Sequence, residues 1–147
     1  MELRQTVCAL GITENGEAVM VRQYRHPIEK TILEIPGGFV DAGEDPEKAI
    51  ARELLEETGY TFSSYTELCE VAANPGVLNN YTKLYLAQGG KKISSQKLDA
   101  NEDIEIVLVP LVELEQMLLD NKIVQALHTT CIFYALLKLG SGAAFGS

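Results

Sequence analysis

Residues 38–60, GFVDAGEDPEKAIARELLEETGY, decide how the rest of the chain reads. Asp45 is a helix-capping residue type, Pro46 suits a first helical turn and Gly59 suits the position after a last one, so the stretch predicts a helix over 46–58. At about 100° per residue, Ile50, Ala51, Leu54 and Leu55 share an apolar arc. Glu53, Glu56 and Glu57 gather on another arc. The expected helix therefore buries one face and offers a carboxylate cluster on the other. Like charges at i,i+3 and i,i+4 cost a few tenths of a kcal/mol per pair unless a cation compensates them. A hard divalent cation such as Mg²⁺ takes oxygen ligands, commonly one or two carboxylates together with substrate phosphates.

Most Glu-rich helices simply present a solvated acidic face. This one differs because Gly38, Glu44 and Arg52-Glu53-Leu54-Leu55-Glu56-Glu57-Thr58-Gly59 stand in a fixed register. Those residues resemble the Nudix box, the signature of hydrolases acting on a nucleoside diphosphate linked to another moiety. Tyr60 departs from the pattern, at a packing position where the family usually has an aliphatic residue. The resemblance implies an α+β protein of the Nudix fold, with a mixed central β-sheet sandwiched between helices, over residues 1–139. It implies that Glu53, Glu56, Glu57 and the Gly37 carbonyl hold Mg²⁺, with Mn²⁺ as the alternative ion. Arg52, inside this acidic cluster, is expected to orient the glutamates by charge-assisted hydrogen bonds rather than to touch substrate.

Outside the box, residues 4–12 and 17–25 read as a β-hairpin about the turn Glu14-Asn15-Gly16. The second strand ends in Gln23-Tyr24-Arg25, and in the ADP-ribose-hydrolysing branch of the family a similar arginine reaches substrate. Residues 31–35 read as a short strand, on which Glu34 matches a substrate-contacting position of the same branch. Residues 65–73 and 81–88 read as further strands, joined by a loop opening at Asn74-Pro75-Gly76. Pro75 lies at the distance beyond Gly59 that tends to mark ADP-ribose pyrophosphatases. An acid often follows this Pro-Gly in relatives, whereas here Asn79 and Asn80 supply amides suited to a ribose or purine edge. Residues 89–101 read as a long polar loop. Glu102, just before the apolar strand 106–109, matches a catalytic glutamate that completes the metal site, with Glu105 as second choice. The family's other loop acid falls near Ala100, which cannot ionise. Residues 111–119 and 123–139 read as helices, and 140–147 as a disordered tail.

Composition limits the partners. The 147 residues, 46% of them hydrophobic, suit a single domain. The 21 acidic against 12 basic residues, net −9, argue against a nucleic-acid or anionic-membrane surface. Cys8, Cys69 and Cys131 have no zinc spacing and read as buried thiols of a reducing compartment. No signal peptide or membrane span is apparent, and the expected location is cytoplasmic.

The expected activity is Mg²⁺-dependent hydrolysis of a nucleoside diphosphate sugar, ADP-ribose first, with Glu102, Glu56 and Glu57 as catalytic residues and Arg25, Glu34, Asn79 and Asn80 on substrate. Hydrolysis of another nucleotide sugar or of a dinucleoside polyphosphate stays open, as does a non-catalytic nucleotide-sensing module. The expected partner is a small-molecule nucleoside diphosphate derivative. A homodimer is also left open, since many ADP-ribose hydrolases dimerise through an N-terminal sheet region that precedes the first core strand.

Overall fold

The computed structural model describes residues 4–100 and 102–140. Its elements are β1 (Thr6–Thr13), β2 (Glu17–Arg25), β3 (Lys30–Glu34), β4 (Gly37–Phe39), α1 (Pro46–Thr58), β5 (Tyr60–Thr61), β6 (Ser64–Val71), β7 (Thr82–Lys92), β8 (Ile104–Pro110), α2 (Leu114–Leu119) and α3 (Ala126–Lys138). The expected α+β architecture is present. β1 runs parallel to β7 and antiparallel to β2 and β4, while β6 and β8 join through β7 and β2.

Alternation along β1 sorts the core into two layers. Val7 and Ala9 pack with Ile50, Leu54 and Tyr85 beneath α1. Cys8, Leu10 and Ile12 pack with Leu84, Leu114, Ile132 and Leu136 beneath α2 and α3. Helices thus cover both faces of the sheet, which is why β1 is apolar on both sides.

The strands that position the site form a fork. β1 and β2 pair at Gly11–Val19 and Ile12–Ala18. Beyond that point β3 pairs with β2 from Val21 to Arg25, and β4 pairs with β1 from Thr6 to Cys8. Ile35 and Pro36 cross between the branches, with the Pro36 carbonyl accepting from Ala9 N at 3.1 Å.

α1 has the expected bounds. Asp45 caps it, accepting from Lys48 N, and Gly59 ends it at φ 76°. The buried face is rotated from the expected one: Leu55 is 38% exposed, whereas Glu57 is only 8% exposed. Glu57 projects close to Ile50 in the helical projection, so the edge of the acidic arc enters the core.

Four further expectations need correction. β4 and β5 escaped the sequence reading because two or three residues carry no usable period. β7 continues to Lys92 through the glycines expected to open a loop, because Tyr60 and Thr61 pair with Lys92 and Lys91. Gly90 is there for space: a Cβ would strike the Phe62 ring. The helix expected over 111–119 is a 3₁₀ turn, Leu111–Glu113, followed by α2. The last helix begins at Ala126, after Gln125 caps it, rather than at 123.

The cysteines are free and distant in sequence, yet they converge. Cys8 and Cys131 are buried and Cys69 is partly so; a hydrogen bond with Cys131, then burial, pushes the Cys8 pKa up. The tail at 141–147 and Asn101 lie outside the described residues. Among the described residues no helix is long and apolar enough to cross a membrane.

Candidate active site

On α1, Arg52 organises the carboxylates. Its Nε and Nη2 donate to the two oxygens of Glu44, each at 3.0 Å, and its Nη1 donates to Glu53 Oε1 at 2.9 Å. Nη2 also donates to the Phe39 carbonyl at 3.1 Å, and Glu56 Oε2 stands 3.5 Å from Nη1. Such a two-pronged guanidinium–carboxylate contact fixes both position and orientation. Gly38 is required beside it, because a Cβ there would overlap the Glu53 carboxyl.

The same neighbourhood pushes two carboxyls in opposite directions. The Arg52 hydrogen bond, helped by the Asp41 backbone, lowers the Glu44 pKa to about 2. Burial pushes Glu57 up to about 9, and the adjacent Glu53 adds to the shift while a Gly37 backbone hydrogen bond opposes it. Burial also raises Glu53, with Arg52 acting against it. Buried carboxylates held this close repel each other when ionised, which is the condition a cation relieves.

The segment after β7 is tied to the end of α1 rather than loose. Gly59 O accepts from Ile93 N and Ser94 N, and Glu56 O accepts from Lys97 N at 2.7 Å. Gln96 Nε2 donates to Glu57 O at 2.7 Å and to Ile104 O at 2.9 Å. The helix's terminal carbonyls are thereby satisfied, and the loop is delivered to the site. Glu102 lines the cavity, its Oε1 accepting from Asp99 N at 2.8 Å. Glu105 instead pairs with Arg22 at 3.1 Å on the surface. Asp99 also lines the cavity, one residue before the alanine where a loop acid was sought.

On the other branch, Arg25 Nε donates to Glu34 Oε1 at 2.9 Å. The Glu34 side chain is 2% exposed and that of Arg25 is 46% exposed, so the pair presents the guanidinium and hides the carboxylate. His128, in the first turn of α3, accepts at Nδ1 from Ile35 N at 3.3 Å. Its Nδ1 also lies 3.8 Å from Glu34 Oε2. That proximity is not an ion pair, because burial, reinforced by Arg25, lowers the His128 pKa to about 4.

These groups line one cavity of about 680 Å³, within the range of small-molecule sites. It brings together Arg25, Glu34, Gly37, Glu53, Glu56, Glu57 and Glu102. Asn79 and Asn80 are not among its lining residues; Asn80 Nδ2 instead donates to the Arg4 carbonyl at 3.2 Å. Arg4, Phe39, Asp99 and His128 line the cavity without having been singled out from the sequence. Only the packing of Arg4 over the Phe39 ring, 4.4 Å from its centroid, makes them a pair. Among the described residues no three carboxylate, imidazole or thiol groups already stand together as a cation site. Arg52 engages Glu53 and Glu56, and the Asp99 N–H engages Glu102. The donors are nonetheless all oxygens, two of them on a buried, mutually repelling pair, and this set fits a hard divalent cation.

Comparison with known proteins identifies the family. A NUDIX domain profile matches residues 2–128. The chain belongs to the Nudix family. Among its Nudix relatives, an ADP-ribose pyrophosphatase of Bacillus subtilis is 34% identical over 133 residues, which is 90% of this chain and 72% of that protein. A methanol dehydrogenase activator of Bacillus methanolicus is 36% identical over the same shares. A solved structure titled as an ADP compounds hydrolase superposes with a TM-score of 0.83 at 25% identity, covering 94% of this chain and 75% of that one. Nudix hydrolases generally require a divalent metal, and α1 and the loop of Glu102 both bring carboxylates to this cavity.

Proposed function

We propose that this Nudix protein hydrolyses the diphosphate bond of a nucleoside diphosphate sugar, with ADP-ribose giving AMP and ribose 5-phosphate. The observation that carries the reading is the single cavity that the α1 carboxylates and Glu102 line together with Arg25. A chain of net charge −9 needs such local devices to receive an anionic substrate.

Glu53, Glu56, Glu57, Glu102 and the Gly37 carbonyl would hold Mg²⁺ or Mn²⁺. When bound, the ion would screen the diphosphate and make an attacking water more acidic. Arg52 keeps Glu53 and Glu56 aimed, and Arg25, anchored by buried Glu34, offers its free guanidinium nitrogens to a phosphate oxygen. Glu102 or one of the box glutamates takes the proton from water. The thiol of Cys8 lines the cavity but is 3% exposed with a raised pKa, which is unsuited to a nucleophile. Direct attack of water on phosphorus follows. The substrate is a small molecule, the acidic surface has no nucleic-acid or membrane role, the setting is cytoplasmic, and a homodimer is compatible with it.

The test is a panel of nucleoside diphosphate derivatives with Mg²⁺ or Mn²⁺, run in ¹⁸O-enriched water with products read by mass spectrometry. ADP-ribose should be turned over with label on a product phosphate. Release of ADP with free ribose would overturn the mechanism. Tight binding without turnover of any compound would favour the sensing module.

A further inference from the structure

The mechanism above leaves His128 unused, although it is a titratable side chain on the cavity wall. Two observations fix its ring. Gln125 Oε1 accepts from Leu127 N at 2.6 Å and from His128 N at 3.1 Å, which locks the first turn of α3. Ile35 N then donates to His128 Nδ1, so that nitrogen carries no proton. A neutral imidazole whose Nδ1 accepts must carry its hydrogen on Nε2. Among the described residues no fully buried side-chain nitrogen or oxygen lacks a partner. The ring's hydrogen bond to protein is made through Nδ1, and His128, 7% exposed, is one of the residues that line the cavity.

The position of this donor says which part of a ligand it meets. α1 packs on one face of the sheet and α3 on the other, so His128 reaches the cavity from the side opposite the carboxylate cluster. Its neighbour there is the Arg25–Glu34 pair. A diphosphate lying between the α1 carboxylates and Arg25 would leave the attached group beside α3. A neutral N–H suits an uncharged oxygen.

We propose that His128, through Nε2–H, holds a hydroxyl or ring oxygen of the sugar beyond the diphosphate and so contributes to substrate choice. The inference rests on the nucleoside diphosphate sugar reading. His128 acts in binding and leaves the chemical step to the carboxylates.

Two substitutions separate this role from a purely structural one. His128→Asn places an amide oxygen near the Nδ1 position, preserving the acceptor for Ile35 N, and removes the donor. His128→Gln carries an amide N–H₂ to the region of Nε2 and gives up the Ile35 contact. With ADP-ribose, His128→Asn should raise KM about tenfold with kcat little changed, the loss expected for one neutral hydrogen bond, and should keep its Tm. His128→Gln should restore KM towards the unsubstituted value while melting lower. An unchanged KM in His128→Asn, or KM losses in both variants that track their Tm losses, would overturn the assignment. Should His128→Asn fail to fold, the KM of His128→Gln decides: near the unsubstituted value supports the donor, tenfold above it overturns it. If the unsubstituted protein turns over no nucleoside diphosphate sugar, the reading beneath the inference fails first and takes the inference with it.

Discussion

Arg52 and Arg25 each hold a carboxylate in the same cavity, yet the two pairs are built for different work. Arg52 is ringed by acids, gripping Glu44 with two prongs and touching Glu53 and Glu56, so its charge is spent inside the protein. Arg25 leans on one deeply buried partner, Glu34, and keeps nearly half of its side chain open. The first clamps carboxylates in place; the second is proposed as a cation anchored to meet an anion. Identical chemistry thus differs in how many carboxylates the guanidinium meets and in how much of it stays open, 30% of the Arg52 side chain against 46% of Arg25.

The sharpest way to break this contrast is at the carboxylates themselves. Glu57→Gln should lower kcat about 10²-fold or more, since on the proposed reading it removes an oxygen ligand. Its Tm should not fall, because a neutral amide replaces a carboxyl that burial already disfavours ionising. Full activity would remove Glu57 from the metal set. Next in size, Arg52→Lys loses the two-pronged grip on Glu44 and should weaken Mg²⁺ affinity about 10- to 100-fold, read by titrating activity with the metal.

Stability against pH separates the two ends further, measured as Tm in chelator. Glu57 titrates near 9 in the folded protein against 4.5 ordinarily. That value is raised, so its contribution is whole below about pH 4.5 and lost as pH rises through 9. Glu57→Gln should flatten this window. His128 is lowered to about 4 from 6.5, so its contribution is present above 6.5 and lost as pH falls through 4.

At the anchored end, Arg25→Ala strands Glu34 in the interior and should destabilise by about 1–3 kcal/mol in chemical denaturation. Adding Glu34→Gln should recover part of the loss; no recovery would mean that Arg25 acts through packing alone. The smallest effect belongs to Arg22→Ala on the same strand, whose partner Glu105 is solvent-exposed. An exposed pair is worth under about 1 kcal/mol, and a loss as large as that of Arg25→Ala would mean that burial of the carboxylate does not set the two pairs apart.

The α1 half of the site was legible in the order of residues alone. Asp45, Pro46 and Gly59 set the helix, and 3.6-residue periodicity then placed Glu53, Glu56 and Glu57 by local geometry alone, because every partner lies within one short segment. The box glycines were legible for the same reason. Strand identity was legible too wherever a run was long enough to show its period, as in β1 and β2.

The rest was settled by packing across the sheet. Whether Glu57 is exposed depends on how α1 is turned on the sheet, which periodicity fixes only to within the width of an arc. Whether Gly89-Gly90 ends a strand depends on Tyr60 and Thr61 pairing with Lys92 and Lys91. The Asn79–Asn80 loop reads like a substrate loop, but the amide of Asn80 is spent on the Arg4 carbonyl. His128 gave no signal at all. Its meaning comes from Ile35 and Glu34, more than ninety positions earlier, and a single histidine on an apolar helix looks the same in sequence whether its ring meets core or cavity. Local interactions can be read from spacing, whereas contacts made across the sheet exist only once the chain has closed on itself.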